Sequence, residues 1–336
     1  MKKIIMLLLL LISGILTACN NSPTSSDGQL RIGFIHLTDP IKMSYTYNHD
    51  QGTRKMIQNL GLKPEQVINK YNVKENEECS TAIEELAAAG CQIIFGSSYG
   101  YEEYFIEAAR RYPQIQFCHA SGVQAKKVNL PNYHNYFAAV YEGRYLTGIA
   151  AGLKLRELQE QGLEPKLGFV AGFYYEEVIS GFTAFYLGAR SVCPEAAMLV
   201  TKIDSWSDPA KEAAATQALI DQGCLVICQQ SINSTPATTA EANKVYHCGY
   251  NGDLSEAAPL ASLISTRVDW SIYLTYAVQC MLDGEEIAAD WCSGLSDGTI
   301  CLTPLNTAIA APGTQEALEQ AQAQIVSGEL QVFAGP

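Results

Sequence analysis

Two consecutive α/β units, each a parallel sheet wound with helices, are what this sequence predicts. Strand patterns alternate with helix patterns of ten or more residues, and the alternation runs through once and then restarts. An internal echo agrees with that: Gly90-Cys91-Gln92-Ile93-Ile94-Phe95-Gly96-Ser97-Ser98 resembles Gly223-Cys224-Leu225-Val226-Ile227-Cys228-Gln229-Gln230-Ser231. Each copy follows a helix pattern and ends in a polar loop. Strands separated by helices of that length need crossover connections, which make parallel sheets.

The first unit reads as a buried strand at 30–36, a helix at 47–60 stopped by Gly61, and a strand at 67–71. A helix at 77–89 ends before Gly90, as helices end at C-cap glycines. A strand at 92–95, a helix at 102–111 and a strand at 115–119 complete it. The second unit opens with a helix at 141–158, then a strand at 166–171, a helix at 176–189 and a strand at 198–203. Asp208 is an N-cap with Pro209 at the first helical position, so a helix runs to Gln222. A strand at 225–229, a helix at 238–243 and a strand at 245–249 follow. Beyond Gly252 the pattern loosens: strands at 261–265 and 298–302, helices at 272–282 and 313–327, passing between the two units.

The N-terminus carries an address. Lys2 and Lys3 precede an apolar run at 4–16 that is signal-peptide length and short for a bilayer span. Leu16-Thr17-Ala18-Cys19 then looks like a lipobox, which places a lipid on Cys19 after cleavage and holds the chain on the extracytoplasmic face of the cell membrane. Residues 20–28 are Asn, Ser, Pro, Thr, Asp and Gly, a composition that cannot bury itself. Fully extended, that tether reaches about 30 Å. An ordinary signal peptide with an unrelated cysteine, or an uncleaved anchor, is the plainer alternative.

Removing eighteen of the 336 residues leaves enough chain for two lobes of about 150 residues each. The signal holds two of the 22 Lys and Arg residues and none of the 35 acids, so the remainder stands at −15. That sign argues against nucleic acid and against adhesion to anionic lipid. Ten further cysteines are even in number, which outside the cell invites disulfides. Several lie in apolar strand patterns, so mostly buried thiols are expected, with one or two disulfides as the alternative.

Chemistry-bearing motifs are sparse. Gly96-Ser97-Ser98-Tyr99-Gly100 matches the G-x-S-x-G turn of a hydrolase nucleophile, with strand before and helix after. A triad would then need His247 with Asp204 or Asp221; a polar cleft loop is the better reading. The five histidines show no metal-ligand spacing, and neither a Walker A sequence nor GxGxxG occurs, so no metal or other cofactor is expected. Glu102-Glu103 and Glu176-Glu177 open helix patterns, where carboxylates favour the dipole. Aromatics cluster after strands instead: Tyr45 and Tyr47, Tyr99 and Tyr101, Phe173 to Tyr175, and Trp206. Ligands of open parallel sheets bind beyond the strand carboxyl ends. Aromatic faces from both units suit a planar ligand held by stacking, with polar groups reading its edge.

Taken together, several stretches resemble the basic membrane protein (BMP) family of ABC-transporter substrate-binding lipoproteins, which includes purine nucleoside receptors. They are Arg31-Ile32-Gly33-Phe34-Ile35, Tyr47-Asn48-His49-Asp50-Gln51-Gly52, His119-Ala120-Ser121-Gly122 and Tyr141-Glu142-Gly143-Arg144-Tyr145, together with the Gly96 loop. Asp204-Ser205-Trp206-Ser207-Asp208-Pro209, Gly249-Tyr250-Asn251-Gly252-Asp253 and Gly294-Leu295-Ser296-Asp297-Gly298 follow in order. The resemblance implies a type I periplasmic-binding fold of two α/β lobes joined by a hinge crossed three times, closing on a ligand without catalysis. It also implies a monomer that works with permease and ATPase subunits. On that basis we expect a first lobe at 30–132 plus 250–285 and a second at 133–249 plus 286–336.

In nucleoside-binding members two aromatic side chains sandwich the base; Tyr45 and Trp206 stand at the matching positions. The positions that read ribose depart from the pattern. Asn251 replaces an acid, with Asp253 two residues on; Val268 replaces a lysine, with Arg267 adjacent; and Lys42 replaces an acid near the first aromatic, with Asp39 nearest. The expected ligand is therefore a purine base or related planar heterocycle, with a nucleoside as the close competitor. The expected ligand-binding residues are Tyr45, Ser98, Tyr99, Phe173, Trp206, Gln230, Asn251 and Asp253. Other readings are a cell-surface serine hydrolase using Ser98 and a ligand sensor without a transporter.

Overall fold

The computed structural model describes residues 29–42 and 44–333. Cys19, the signal sequence and all of the tether but Gln29 lie outside the described residues. The first unit contains β1 (Ile32–Ile35), α1 (Tyr45–Leu60), β2 (Val67–Lys70), α2 (Glu77–Ala88), β3 (Ile93–Gly96), α3 (Glu102–Arg111), β4 (Gln116–Ala120), α4 (Ala125–Val128) and β5 (Tyr133–Ala138). The second contains α5 (Val140–Gln159), β6 (Lys166–Ala171), α6 (Glu176–Val192), β7 (Ala197–Lys202), α7 (Pro209–Asp221), β8 (Val226–Gln230), α8 (Thr235–Ala242), β9 (Tyr246–Tyr250) and β10 (Ser262–Val268). The chain ends with α9 (Ser271–Asp283), β11 (Asp290–Ser293), β12 (Ile300–Leu302) and α10 (Thr314–Ser327).

Two six-stranded sheets result. The first runs β11-β5-β4-β3-β1-β2, with every pairing parallel. The second runs β12-β10-β9-β8-β6-β7, parallel except for the antiparallel edge β12. Central strands β1, β3 and β8 are buried along their whole length. Helices cover both faces, so these strands read as continuous apolar runs. The internal echo is structural: β3 pairs with the first strand of its sheet and β8 with the first strand of the other. Gly90 and Gly223, which precede them, both sit at positive φ, 83° and 86°. This is the type I periplasmic-binding-like architecture.

Local chemistry fixes the helices that frame the cleft. Ser44 caps α1 by accepting from the Tyr47 amide at 3.1 Å, and Gly61 ends that helix at φ 61°. Asp208 caps α7 by accepting from the Lys211 amide at 3.0 Å.

Strand pairing puts the lobe boundaries elsewhere than the expected ones. β5 and β11 belong to the first sheet and β10 to the second. Thus 133–138 and 290–293 lie in the first lobe, and 262–268 in the second. The chain crosses at Ala139, at Asp269 and Trp270, and between β11 and β12, three passages in all. The first crossing comes after β5, Tyr-His-Asn-Tyr-Phe-Ala, whose apolar pattern is interrupted by His134 and Asn135 although almost all of it is buried. Trp270 anchors the hinge: fully buried, it stacks on His49 of α1 at 4.6 Å and meets Tyr136 of β5 at 5.4 Å.

All ten cysteines of the described region are free thiols, eight of them buried, with Cys292 exposed. Burial pushes the Cys91 thiol up to about 12 and Cys224 to about 11. Among the described residues no helix is long and apolar enough to cross a membrane.

Candidate functional site

A cleft between the lobes collects the carboxyl ends of strands from both sheets. β1 delivers Leu37, β3 delivers Ser97, Ser98 and Tyr99, and β4 delivers Ser121. From the second lobe come Glu177 after β6, Trp206 after β7, Gln230 at the end of β8 and Tyr250 with Asn251 at β9. Tyr45 and Thr46, in the first turn of α1, complete the first-lobe wall. The cleft lies where β1 meets β3 and β6 meets β8, the points at which strand order reverses in each sheet. It holds about 530 Å³ of atom-free space including its mouth, in the range of small-molecule sites.

The walls touch across the mouth. Tyr99 of the first lobe stacks on Tyr175 of the second, ring centroids 4.1 Å apart and 14° from coplanar. Asn48 donates to Asn251 at 3.3 Å. Lys42 pairs with Glu256 on the exposed rim, a contact that contributes little at such exposure. Two non-glycine residues on the wall hold left-handed backbone, Ser121 at φ 59° and Asn251 at φ 71°. Such conformations concentrate where function constrains the chain.

Trp206 is braced from its own lobe. Phe173 meets it edge-on at 4.9 Å and Tyr175 lies at 6.0 Å. A Cβ on Gly172 would stand 2.7 Å from the indole, so only glycine lets the ring lie there. The Tyr45 hydroxyl is shut from solvent, close to Ser121, and makes no hydrogen bond of normal geometry.

Behind the second-lobe wall sits Arg144 of α5, fully buried. Its guanidinium donates to the Gln229 carbonyl at 2.8 Å and to Gln230 Oε1 at 3.5 Å, and lies 4.4 Å from the Tyr250 ring centroid. The first of the two adjacent amides turns away: Gln229 Nε2 donates to the Asn233 carbonyl at 2.6 Å, and its Oε1 meets His247 Nε2 at 3.0 Å. Gln230, with its oxygen toward Arg144, bears on the Glu177 carboxyl by hydrogen bonding. Burial lifts the Glu177 carboxyl to about 7, although Ser121, Arg144 and Gln230 each favour its charged form.

Six of the expected ligand residues line this cleft: Tyr45, Ser98, Tyr99, Trp206, Gln230 and Asn251. Two do not. Phe173 is a brace for Trp206, and Asp253 is exposed, closing a turn by accepting from the Ser255 amide at 2.9 Å. Thr46, Ser121, Glu177 and Tyr250 line the cleft as well, although the sequence marks Glu177 only as a helix-start acid. The strand-end rule reaches three of them; Thr46 adjoins Tyr45. Val268 is buried in β10 among apolar side chains.

The triad geometry of a hydrolase does not assemble. Ser98 Oγ donates to Glu75 Oε1 at 2.7 Å, and the Gly100 amide reaches the same oxygen at 2.8 Å. The nearest imidazole, His119, meets the Ser98 carbonyl rather than its hydroxyl, at 2.8 Å. His247 sits in the other sheet against Gln229. Among the described residues no cluster of His, Cys, Asp or Glu is placed to hold a metal.

Residues 39–334 match the family described as ABC transporter substrate-binding protein PnrA-like. The chain is 30% identical over 311 residues to a purine-binding protein of Brucella abortus, covering 93% of this chain and 85% of that one. It is 27% identical over 314 residues to a putative ABC transporter glucose-binding protein of Haloferax volcanii, covering 92% and 76%. Among solved structures, an ABC transporter solute-binding protein from Aeropyrum pernix superposes with a TM-score of 0.76 at 15% identity, covering 92% of this chain and 94% of that one.

Proposed function

Because this chain belongs to the PnrA-like family of ABC transporter substrate-binding proteins, we propose that its cleft captures a purine base or a related planar heterocycle for import. Substrate-binding proteins of this kind are extracytoplasmic, bind small molecules and work with permease and ATPase subunits. The lipid on Cys19 and the polar tether hold the two lobes at the membrane, where the loaded monomer meets its permease. Closure follows from the ligand contacting both walls, which favours the closed state.

The observation that carries the ligand class is the character of the walls. Tyr45 and Trp206 offer aromatic faces from opposite lobes, and Ser98, Gln230 and Asn251 offer a rim of neutral hydrogen-bonding groups. At the position that matches the ribose cation of nucleoside binders this chain carries Val268, buried in β10, with Arg267 adjacent. A sugar cannot use those contacts, each worth roughly 1.5–3 kcal/mol when charge-assisted. The Brucella relative, described as purine-binding, supports the base; the Haloferax relative, described as glucose-binding, favours a sugar on Trp206 as the second reading.

Melting the protein with adenine, hypoxanthine, guanine, adenosine, inosine, guanosine and glucose separates these readings. A free base at about 100 times its Kd should add about 2.7 kcal/mol of stability and raise Tm by roughly 5–10 °C. Stabilisation by nucleosides alone, or by glucose alone, would overturn the base assignment.

Ser98 takes part in positioning rather than catalysis. Ser98→Ala removes one donor from Glu75 and one polar group from the wall. Calorimetry with the stabilising ligand should show affinity within about tenfold of the original, the size of one neutral hydrogen bond. A ligand consumed by the original protein and left intact by the variant would favour the hydrolase instead.

A further inference from the structure

Of the residues that line the cleft, Glu177 alone carries an acidic or basic side chain that ionises near neutral pH; the rest are hydroxyls, amides, aromatics and aliphatics. It stands in the first turn of α6, after the strand end that faces the ligand space. Its neighbour Glu176 is exposed, whereas Glu177 is half-buried in the cleft wall. Gln230 and the strained Ser121 bear on its carboxyl by hydrogen bonding, one from each lobe, and the buried Arg144 supplies a positive field behind it. Among the described residues no carboxylate forms an ion pair with Arg144: its hydrogen bonds go to the Gln229 carbonyl, Gln230 and the Cys228 sulfur.

We propose that Glu177 is the specificity-determining acceptor of the cleft, its ionised carboxylate taking an N–H from the edge of the bound heterocycle. This rests on the cleft being the ligand site. Of the two N–H groups of Gln230 Nε2 one bears on that carboxylate, so the other is the donor that sits beside the acceptor. Such a pair fits a ring edge that carries an N–H next to a lone-pair nitrogen or oxygen, and it repels anions. A sugar offers hydroxyls in place of that edge.

Capture is then linked to pH. The groups that face Glu177 are Arg144 from α5, Tyr45 from α1, Tyr99 after β3, Tyr250 from β9 and Glu176 on its own helix. Burial raises the three phenols, away from neutrality. His119, two residues before Ser121, is buried and held neutral by burial. Glu177, at about 7, is the group whose charge changes in this interval. A ligand that needs the carboxylate must expel its proton below that value, so affinity falls as pH falls and levels off above it.

Calorimetry with adenine and with glucose, from pH 5.5 to 7.5, tests this. For adenine the original protein should bind roughly twentyfold tighter at pH 7.5 than at pH 5.5. At pH 6.5, buffers of different ionisation heat should report a proton released on binding. Glu177→Gln should bind more weakly at pH 7.5 and lose the pH dependence, with an unchanged circular dichroism spectrum. Ser121→Ala, which keeps the carboxyl, should retain it. If Glu177→Gln does not fold, the proton release of the original protein decides. Adenine binding with no proton release, or a pH slope that survives Glu177→Gln, overturns the role of Glu177 and leaves the purine reading standing. Binding of glucose alone, or of neither glucose nor any of adenine, hypoxanthine and guanine, overturns the purine reading and this inference with it.

Discussion

Trp206→Ala is expected to weaken capture of a purine base by roughly 5- to 150-fold while leaving the fold intact. The range is the free energy of one base stacked on one aromatic ring, about 1–3 kcal/mol. The upper half applies here, because the indole is held in place before the ligand arrives. Phe173 braces it edge-on at 4.9 Å, and Gly172 leaves the space in which it lies. Its loop is fixed through the main chain, the Ile232 amide donating to the Trp206 carbonyl at 2.9 Å. Truncating the half-buried ring therefore removes a face of the site without loosening the loop. Calorimetry with adenine, beside a thermal melt, measures both consequences. Trp206→Phe should recover most of the affinity, since a smaller ring still stacks. Affinity within twofold of the original in the alanine variant would remove the indole from the site.

Much of this arrangement was legible because parallel sheets announce themselves. Apolar runs between helices of ten or more residues bury their strands on both faces and fit few architectures besides a wound parallel sheet. Repeated Gly-Cys starts marked equivalent central strands in both lobes. The strand-end rule then located Ser98, Trp206 and Gln230 without any contact being known. Failures have local causes. β5 hides because Asn135 and His134 interrupt its apolar pattern, and neither amide atom of the buried Asn135 finds a partner. Phe173 was assigned to the ligand because sequence shows that an aromatic follows a strand, not which way the ring turns.

Glu177 stands in the first turn of α6, as its sequence position implies, and it also lines the cleft. As the second acid of a helix start it looked like dipole complementation, as Glu102 did. Glu102 is indeed structural: it takes the Val123 and Gln124 amides at 2.7 and 3.0 Å and the Tyr133 hydroxyl at 3.1 Å. Consecutive helical residues point about 100° apart. Only the docking of α6 against the rest of its lobe turns Glu177, and not Glu176, toward the cleft.

That docking gives the largest expected loss of stability. Gly188→Ala should lower the free energy of unfolding by about 1–3 kcal/mol, or roughly 3–10 °C in Tm. α5 has 15 of its 20 residues buried, so it lies inside the second lobe rather than on it. It meets α6 through glycines. A Cβ on Gly188 would stand 2.0 Å from the Tyr145 carbonyl oxygen; one on Gly148, 2.1 Å from that of Phe185; one on Gly152, 2.4 Å from that of Ala189. These obstacles are main chain, which no rotamer change can clear, so the helices must move apart. Alanine's better helix propensity returns at most about 1 kcal/mol. Leu187→Ala, one residue away and partly exposed, is the control and should cost much less. The displacement should also reach the ligand. α5 carries Arg144 and α6 carries Glu177, so separating them pulls apart the two groups that set the charge of the cleft wall. Gly188→Ala should therefore weaken ligand binding even at temperatures where it remains folded. A melt within 1 °C of the original would mean that the contact between the two helices is looser than the glycines imply.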